Sequence, residues 1–248
     1  MLTPGHVSLV TGAALGIGAG IAELFAQHGA RVYVLDIDAA QAEATAARIT
    51  AGGGIAHAMK CDVSLRAGVH SAVNAALSRY GRIDSLINNA GIYPRREFLE
   101  TTEADWDRMQ EVNVKSLLHT CQLVLPGMIA RRSGKIVNIS SVTFWIGVEK
   151  LTYYVASKGA VLGLTRSLAR ETGRHNVHVN AVTPGAIKTE GEVVHANMDD
   201  IRAIQAQQCL DRRIMPYDVA AACLFLASPL SDGMTGQTLN VDGGLYMH

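Results

Sequence analysis

Short apolar runs alternate with longer amphipathic stretches from one end of the chain to the other. The apolar runs are rich in Val, Ile and Leu, as is typical of strands that are buried on both faces of a sheet. They predict seven strands, over residues 7–11, 31–36, 55–61, 85–88, 135–140, 178–183 and 238–241. The stretches between them predict six helices, over residues 16–29, 38–51, 65–80, 103–131, 152–173 and 217–228.

The order of these elements predicts the fold class. Strands that alternate with helices form a parallel sheet through right-handed crossovers, with helices on both faces. No linker, repeat or low-complexity tract interrupts the alternation, so we expect a single domain over residues 1–248. The sequence therefore predicts an α/β protein with a doubly wound parallel sheet of about seven strands.

One segment breaks the alternation. Residues 186–214 separate a predicted strand from a predicted helix and contain no strand pattern. Insertions of this length in a compact domain are usually functional. Because the segment follows the carboxyl end of a strand, where open α/β sheets bind ligands, we predict a mobile lid over the substrate.

Composition excludes several classes of protein. Hydrophobic residues make up 48% of the chain and charged residues 18%, which excludes intrinsic disorder. The 22 basic and 22 acidic residues cancel, so net charge favours neither nucleic acid nor an acidic membrane as a partner. Residues 1–22 carry no Asp, Glu, Lys or Arg, but Pro4 and five glycines argue against a signal or membrane-spanning segment.

The cysteines and histidines form no metal-binding pattern. The four cysteines, at positions 61, 121, 209 and 223, contain no C-x-x-C pair, and His175 with His178 is the one close histidine pair. We therefore expect free thiols in a reducing cytoplasm, with neither disulfides nor a metal site.

The first chemical signal is a glycine-rich loop between the first predicted strand and the first predicted helix. It contains Gly12, Gly16 and Gly18, with Leu15 and Ile17 between them. Glycines at these places let the backbone turn tightly and approach a pyrophosphate, which the N–H groups at the start of the helix then bind. The spacing departs from G-x-G-x-x-G, but the strand before it and the helix after it indicate a Rossmann-type dinucleotide site.

Asp36 ends the second predicted strand and indicates which dinucleotide binds. A carboxylate at this position accepts hydrogen bonds from the ribose 2′-hydroxyl of NAD and repels the 2′-phosphate of NADP. Neither Leu15 nor Ile37 supplies a positive charge that would offset this repulsion. We therefore predict NAD as the cofactor.

Tyr154 and Lys158 are four residues apart in a predicted helix, so their side chains lie on one face. A phenol with a pKa of about 10 is a poor base at neutral pH. An adjacent ammonium, and the charge of oxidised nicotinamide, should lower that pKa. Tyr153 is five residues from Lys158 and points elsewhere, whereas residues 138–141 end a strand and bring a serine hydroxyl to the same pocket.

These features, taken in order, resemble the classical short-chain dehydrogenase/reductase family over essentially the whole chain. The glycine loop is followed by other motifs in the family's order, namely Asp62-Val63, Asn88-Asn89-Ala90-Gly91, Asn113, Ser141, Tyr154 with Lys158, residues 184–189, Gly236-Gln237-Thr238 and Asp242-Gly243-Gly244. The resemblance implies hydride transfer between C4 of the nicotinamide and a carbon that carries a hydroxyl or carbonyl.

The resemblance also implies a role for each matched residue. Tyr154 would be the general acid/base, and Lys158 would lower its pKa and hold the nicotinamide ribose. Ser141, chosen over Ser140 by its thirteen-residue spacing to Tyr154, would polarise the substrate oxygen, and Asn113 would anchor a water that relays protons from Lys158. Asp62 and Val63 are expected at the adenine, Asn89 and Gly91 at the adenosine side, and Ile187 and Thr189 at the carboxamide. The implied cofactor-binding residues are Gly12, Leu15, Gly16, Ile17, Gly18, Asp36, Asp62, Val63, Asn89, Tyr154, Lys158, Pro184, Gly185, Ile187 and Thr189.

Two kinds of substrate fit the sequence. Arg95, Glu149 and His195 could hydrogen-bond a polyhydroxy compound, and residues 182–189 and 207–214 resemble those of sugar 1-dehydrogenases. Residues 91–94 and 143–145 instead resemble dehydrogenases of aryl secondary alcohols. We favour oxidation of a sugar-like or polyhydroxy alcohol, with aryl or apolar secondary alcohols and ketones as the alternative. The predicted pocket residues are Tyr93, Arg95, Ser141, Trp145, Glu149 and His195.

The helices predicted over residues 103–131 and 152–173 carry apolar and small residues beyond one core-facing stripe. This surplus predicts a subunit interface, and the resemblance implies a homotetramer, with a homodimer as the alternative. A non-catalytic NAD-binding sensor or scaffold is a hypothesis of another class. The complete set of Asn113, Ser141, Tyr154 and Lys158 argues against it, because binding alone does not need a tuned phenol.

Overall fold

Seven parallel strands form one sheet in the computed structural model, which describes residues 1–189 and 198–247. In chain order they are β1 (Val7–Thr11), β2 (Arg31–Asp36), β3 (Ile55–Lys60), β4 (Ser85–Asn88), β5 (Gly134–Ile139), β6 (Val177–Pro184) and β7 (Thr238–Val241). Their order across the sheet is β3-β2-β1-β4-β5-β6-β7. The predicted α/β fold is confirmed, and no predicted strand end is displaced by more than one residue.

Helices cover both faces of this sheet. One face packs through a core with Phe25 at its centre, and the other through a core that contains Val73. Among the described residues, no helix is both long and apolar enough to cross a membrane. The helices are α1 (Gly16–Gln27), α2 (Ala39–Ala51), α3 (Arg66–Tyr80), α4 (Glu103–Gln110), α5 (Ser116–Arg131), α6 (Thr143–Ile146), α7 (Thr152–Thr172), α8 (Met198–Gln205) and α9 (Pro216–Ala227).

The helix predicted over residues 103–131 has the predicted bounds, but it is not α-helical throughout. The structure divides it into α4 and α5, with a π-helical turn at Glu111–Lys115 between them. Such a turn often marks a functional site. Here it contains the buried Asn113, whose side chain bonds both backbone groups of Ile92 in the loop after β4. This tertiary contact leaves no trace in the apolar periodicity, which runs on through the turn.

Two short helices were also absent from the prediction. The four-residue α6 follows β5 almost directly, and α8 lies within the segment 186–214. Ile187 and Ile214 form a parallel bridge that joins the two ends of this segment. Residues 190–197, which include His195, lie outside the described residues.

The direction of strand addition reverses between β1 and β4. β2 and β3 lie on one side of β1, whereas β4 and the later strands lie on the other. In open parallel sheets a crevice forms outside the carboxyl ends of the strands at such a point. Gly12 follows β1 and Asn89 follows β4, so the two motifs meet at this crevice.

A buried histidine lies at the opposite end of the sheet. His6 is 3% exposed, and its Nε2 is 2.9 Å from Oγ of Ser85. Burial lowers the pKa of His6 from 6.5 to about 4, although the negative charge of Asp84 acts in the other direction. His6 is therefore neutral in the folded protein at pH values where an unfolded chain would protonate it.

We expect the free energy of unfolding to fall as the pH drops from about 6.5 towards about 4. In this pH range His6 takes up a proton in the unfolded chain but not in the folded protein, so the unfolded state is favoured as the pH falls. Above this range His6 is neutral in both states, and it no longer makes the free energy of unfolding depend on pH. The His6 contribution amounts to about 3 kcal/mol. Urea unfolding across this pH range should give a flatter dependence for His6→Gln than for His28→Gln at an exposed control position. Equal slopes in the two variants would contradict this assignment.

Candidate active site

The glycine loop between β1 and α1 presents bare backbone to the crevice. Gly12 and Gly16 have φ values of +61° and +57°, which residues other than glycine rarely adopt. A Cβ at Gly12 would lie 2.7 Å from Cα of Ala90, and one at Gly18 would lie 2.1 Å from the carbonyl oxygen of Gly12. The loop therefore tolerates no side chain at these positions, and it leads into the N–H groups at the start of α1.

Asn89 and Thr11 fix the shape of this loop. Nδ2 of Asn89 donates to the carbonyl oxygens of Thr11 at 3.0 Å and Gly12 at 2.8 Å. In return, Oγ1 of Thr11 accepts from the backbone N–H groups of Asn89 and Ala90. The Asn89 amide is thus used to join the loops after β1 and β4. Its predicted contact with the adenosine stays a prediction.

Asp36 lies beside the loop at the end of β2. Its Oδ2 accepts from the N–H of Ala14 at 3.0 Å and its Oδ1 from the N–H of Asp38 at 3.0 Å. Leu15 and Ile37 on either side are 46% and 56% exposed, so apolar groups flank the carboxylate. The Asp36 carboxylate therefore lies at the end of the glycine loop where the sequence predicts the ribose of the cofactor.

Asp62 and Val63 follow β3 on the same side. Oδ1 of Asp62 accepts from the hydroxyl of Ser64 at 2.6 Å and from its N–H at 2.9 Å. These bonds hold the pKa of Asp62 below its usual value. The side chain of Val63 is buried, and its carbonyl oxygen lies 3.2 Å from Nδ1 of His119. These hydrogen bonds hold Asp62 and Val63 in place after β3, and their contact with an adenine stays a prediction.

Ser141, Tyr154 and Lys158 come together at the carboxyl end of β5. Tyr154 and Lys158 occupy successive turns of α7, and Nζ of Lys158 lies 5.6 Å from the centre of the Tyr154 ring. Ser141 hydrogen-bonds the Tyr154 side chain, and its own Oγ accepts from the N–H of Thr143 at 3.2 Å. Three of the four residues that the sequence assigned to catalysis are therefore neighbours.

Burial dominates the pKa values of this group in the protein chain. It raises the pKa of Tyr154 to about 12, opposed by a hydrogen bond from Ser141 and reinforced by Tyr93. Burial also lowers the pKa of Lys158 to about 8. The lowering of the Tyr154 pKa by Lys158 together with the charge of oxidised nicotinamide stays a prediction. Nζ of Lys158 donates to the carbonyl oxygen of Ile139 at 2.9 Å.

Asn113 lies behind these residues in the π-helical turn. Its Oδ1 accepts from the N–H of Ile92 at 2.8 Å, and its Nδ2 donates to the carbonyl oxygen of Ile92 at 2.9 Å and to Oγ of Ser157 at 3.1 Å. These bonds occupy the side-chain amide, so the proton-relay water stays a prediction. A Cβ at Gly91 would lie 3.3 Å from Oδ1 of Asn113 and 3.4 Å from Nζ of Lys158. Gly91 therefore lies beside Asn113 and Lys158, and its predicted place by the adenosine stays a prediction.

The segment after β6 faces the glycine loop. Thr189 is the nearest neighbour of Gly16, where a Cβ would lie 3.3 Å from its methyl carbon. Gly185 follows Pro184 and lies so close to Asp242 that its Cβ would be 2.8 Å from that of Asp242. Ile187 is buried in the bridge to Ile214. This segment therefore forms the wall opposite the loop, where the sequence places the nicotinamide.

Comparison with known proteins agrees with this arrangement. The chain matches the family model described as Enoyl-(Acyl carrier protein) reductase over residues 12–246. It is 38% identical to the probable galactose dehydrogenase of Rhizobium meliloti over 240 residues, which cover 96% of this chain and 94% of that protein. It is also 38% identical to a 3-oxoacyl-(acyl-carrier-protein) reductase of Chlamydia pneumoniae over 242 residues and to galactitol 2-dehydrogenase of Agrobacterium fabrum over 252 residues, with 97% of each chain covered in both cases.

The chain belongs to the short-chain dehydrogenase/reductase family. It is accordingly an oxidoreductase that acts on CH–OH groups with a nicotinamide cofactor. The residues present fit such a cofactor, because the side-chain-free cradle at Gly12, Gly16 and Gly18 suits a pyrophosphate that approaches the start of α1.

Two of the residues predicted for the substrate pocket, Tyr93 and Trp145, make aromatic contacts. The ring of Tyr93 packs edge-on against that of Tyr154, with their centres 6.2 Å apart. Trp145 on α6 stacks on Tyr246, with ring centres 5.6 Å apart and planes inclined by 3°. Sequence reasoning missed Tyr246, although the turn at Asp242, which bends the C-terminal segment back, could have indicated it.

Two charged residues predicted for the substrate pocket lie on exposed loops. Arg95 and Glu149 have exposed side chains in the loops after β4 and α6. Their neighbours Arg96 and Lys150 are instead paired with other side chains, Arg96 with Asp105 at 3.4 Å and Lys150 with Glu97 at 3.0 Å. The structure therefore brings Tyr93 and Ser141 to Tyr154, and it leaves the contribution of Arg95 and Glu149 a prediction.

Proposed function

We propose that this protein is an NAD-dependent dehydrogenase that oxidises a CH–OH group of a sugar-like or polyhydroxy substrate to a carbonyl. The observation that carries the proposal is the meeting of Ser141, Tyr154 and Lys158 beside a side-chain-free glycine loop. A sensor or scaffold would bind the dinucleotide through the glycine loop alone and would not need Ser141, Tyr154 and Lys158 to lie together.

The residues of this chain divide the chemistry between them. Tyr154 takes the proton of the substrate hydroxyl at its phenolic oxygen, and Ser141 orients the substrate oxygen toward it. Lys158 holds a positive charge next to the phenol, where the dry surroundings strengthen its effect on a developing negative charge. When bound, a nicotinamide would supply the hydride acceptor, and in its oxidised form a positive charge that favours the ionised form of Tyr154.

NAD, and not NADP, is the proposed cofactor because of Asp36. Its carboxylate is held in place by the N–H groups of Ala14 and Asp38, so it cannot turn away from a bound ribose without losing two hydrogen bonds. Within the described residues, no basic group forms an ion pair with it. The site therefore favours a hydroxyl over a phosphate at the ribose 2′-position.

Replacing Asp36 by Ala or Asn should reduce the preference for NAD over NADP at least about tenfold, because the repulsion of the 2′-phosphate disappears. Asn keeps an oxygen that accepts from Ala14, so Asp36→Asn separates the charge from the support of the loop. The ratio of kcat/KM with the two dinucleotides measures the effect. An unchanged preference in both variants would show that another residue selects the cofactor.

The substrate class is supported by two relatives, whose names state that they act on galactose and galactitol. The aromatic pairs Tyr93–Tyr154 and Trp145–Tyr246 favour a second candidate, an aryl or apolar secondary alcohol or ketone. A panel of aldoses, polyols and aryl alcohols, followed by the absorbance of NADH, distinguishes the two. Turnover of aryl alcohols alone would overturn the sugar proposal, and no turnover of any member would favour the sensor.

We also propose that the segment 186–214 closes over the substrate and that the protein forms a homotetramer. The bridge between Ile187 and Ile214 gives the segment a fixed base on which a lid could move. On the outside of α5, Leu118 is 47% exposed, and on α7 the small residues Ala156, Ala160 and Gly163 are exposed. Such a face suits a second copy of the chain. The cytoplasmic location stays a prediction from the cysteine content.

A further inference from the structure

Tyr153 lies next to the catalytic tyrosine, but its hydroxyl has a different partner. The side chain is 2% exposed, and its Oη donates to the carbonyl oxygen of Pro94 at 2.8 Å. Neighbouring residues on a helix point about 100° apart, so the two rings leave α7 in different directions. Tyr153 therefore contacts the loop after β4, and Tyr154 contacts the reacting groups.

The loop that receives this hydrogen bond, residues 91–96, is anchored on both sides of Tyr93. Before Tyr93, Asn113 bonds the N–H and the carbonyl oxygen of Ile92. After Tyr93, Tyr153 bonds Pro94. The backbone on both sides of Tyr93 is therefore tied to buried side chains.

Tyr93 itself is not held by burial. Its side chain is 42% exposed, yet its ring packs edge-on against Tyr154. The rotamers of a side chain start from its backbone, so a ring can stay in contact with Tyr154 only while the backbone at Tyr93 stays in place. The position of the Tyr93 ring therefore depends on the anchors at Ile92 and Pro94.

We propose that Tyr153 is a positioning residue, whose hydrogen bond to Pro94 holds Tyr93 against Tyr154 and so fixes one wall of the substrate pocket. The inference rests on the proposed function, since it assigns Tyr93 to that pocket. Phe at position 153 would fill the same space but leave the Pro94 carbonyl without its donor. A hydrogen bond of this kind changes an equilibrium by roughly two- to tenfold.

Replacing Tyr153 by Phe should raise the KM for the best substrate of the panel about three- to tenfold. The KM for NAD should stay within about twofold, since Tyr153 and Pro94 lie outside the glycine loop, and kcat should change less than the substrate KM. The matched control is Tyr33→Phe, which removes a hydrogen bond from a tyrosine hydroxyl to the carbonyl oxygen of Ala75 away from the site. A merely structural loss would lower stability in both variants and leave both KM values unchanged.

Two further measurements decide whether the effect passes through Tyr93. In a Tyr93→Ala background, Tyr153→Phe should cause no additional rise in the substrate KM; a full additional rise would overturn the proposal. Hydrogen–deuterium exchange over residues 91–96 should be faster in Tyr153→Phe than in Tyr33→Phe, and equal exchange would also overturn it. A wild-type protein that turns over no substrate would overturn the proposed function instead, while the exchange rates would still show whether Tyr153 holds the loop.

Discussion

Replacing Tyr154 by Phe is expected to lower kcat at least about a thousandfold, because the variant lacks the general base. The phenolic oxygen is the group that takes the substrate proton, and we expect neither Ser141 nor Lys158 to take over this role. Ser141 is a donor to the phenol, and Lys158 donates to Ile139. The ring that remains still packs against Tyr93, so the pocket keeps its shape.

The measurement combines turnover with cofactor binding. NADH formation with the best substrate reports kcat, and the fluorescence of bound NADH reports affinity, which should change by less than about tenfold because the glycine loop is untouched. Tyr33→Phe is the matched control, since it removes the same atom from a tyrosine away from the site and should leave kcat within about twofold. Activity of Tyr154→Phe close to that of the wild type would overturn the proton-transfer role.

The pH dependence of the reaction has a defined sign. Because burial raises the pKa of Tyr154 to about 12 in the protein chain, the phenol is protonated at neutral pH unless further positive charge is present. The rate of alcohol oxidation should therefore increase with pH as Tyr154 loses its proton, and this increase should vanish in Tyr154→Phe. Measuring kcat/KM of both proteins from neutral to alkaline pH tests this.

The sheet could be predicted from the sequence because its strands are short apolar runs with a polar residue or glycine at each end. The π-helical turn at Asn113 could not, since it depends on hydrogen bonds to Ile92, which is far away in the sequence. The same holds for the stack of Trp145 on Tyr246, in which two surface aromatics become neighbours only through the fold. Local periodicity indicates where an element runs, whereas long-range contacts decide how it is distorted.

In the candidate site, too, some features could be predicted from the sequence and others could not. The spacing of Tyr154 and Lys158 on one helix determines that they are neighbours, and this could be predicted. The balance of their pKa values depends on how much water reaches them, and no spacing reports that. The role of Asn89 in joining two loops could not be predicted either, because its amide bonds two backbone carbonyls that only the fold brings near it.

Replacing Gly18 by Ala should weaken NADH binding by about a hundredfold, which corresponds to about 3 kcal/mol. The new methyl group would lie 2.1 Å from the carbonyl oxygen of Gly12 and 2.6 Å from Nδ2 of Asn89, so it would occupy the space of the hydrogen bond between them. Neither the backbone nor the bonded amide can move away without changing the loop. Gly173→Ala is the matched control, because a Cβ at Gly173 meets nothing within 4 Å and its φ of −56° suits alanine.

Fluorescence titration with NADH and thermal unfolding should be compared in the two alanine variants. In Gly18→Ala, both the affinity and the melting temperature should fall, since the strain affects the loop with and without the cofactor. In Gly173→Ala, the affinity should be unchanged and the melting temperature equal or slightly higher. If Gly18→Ala bound NADH as tightly as Gly173→Ala, the pyrophosphate could not be held by the backbone around Gly12, and the cofactor site would have to lie elsewhere along the carboxyl edge of the sheet.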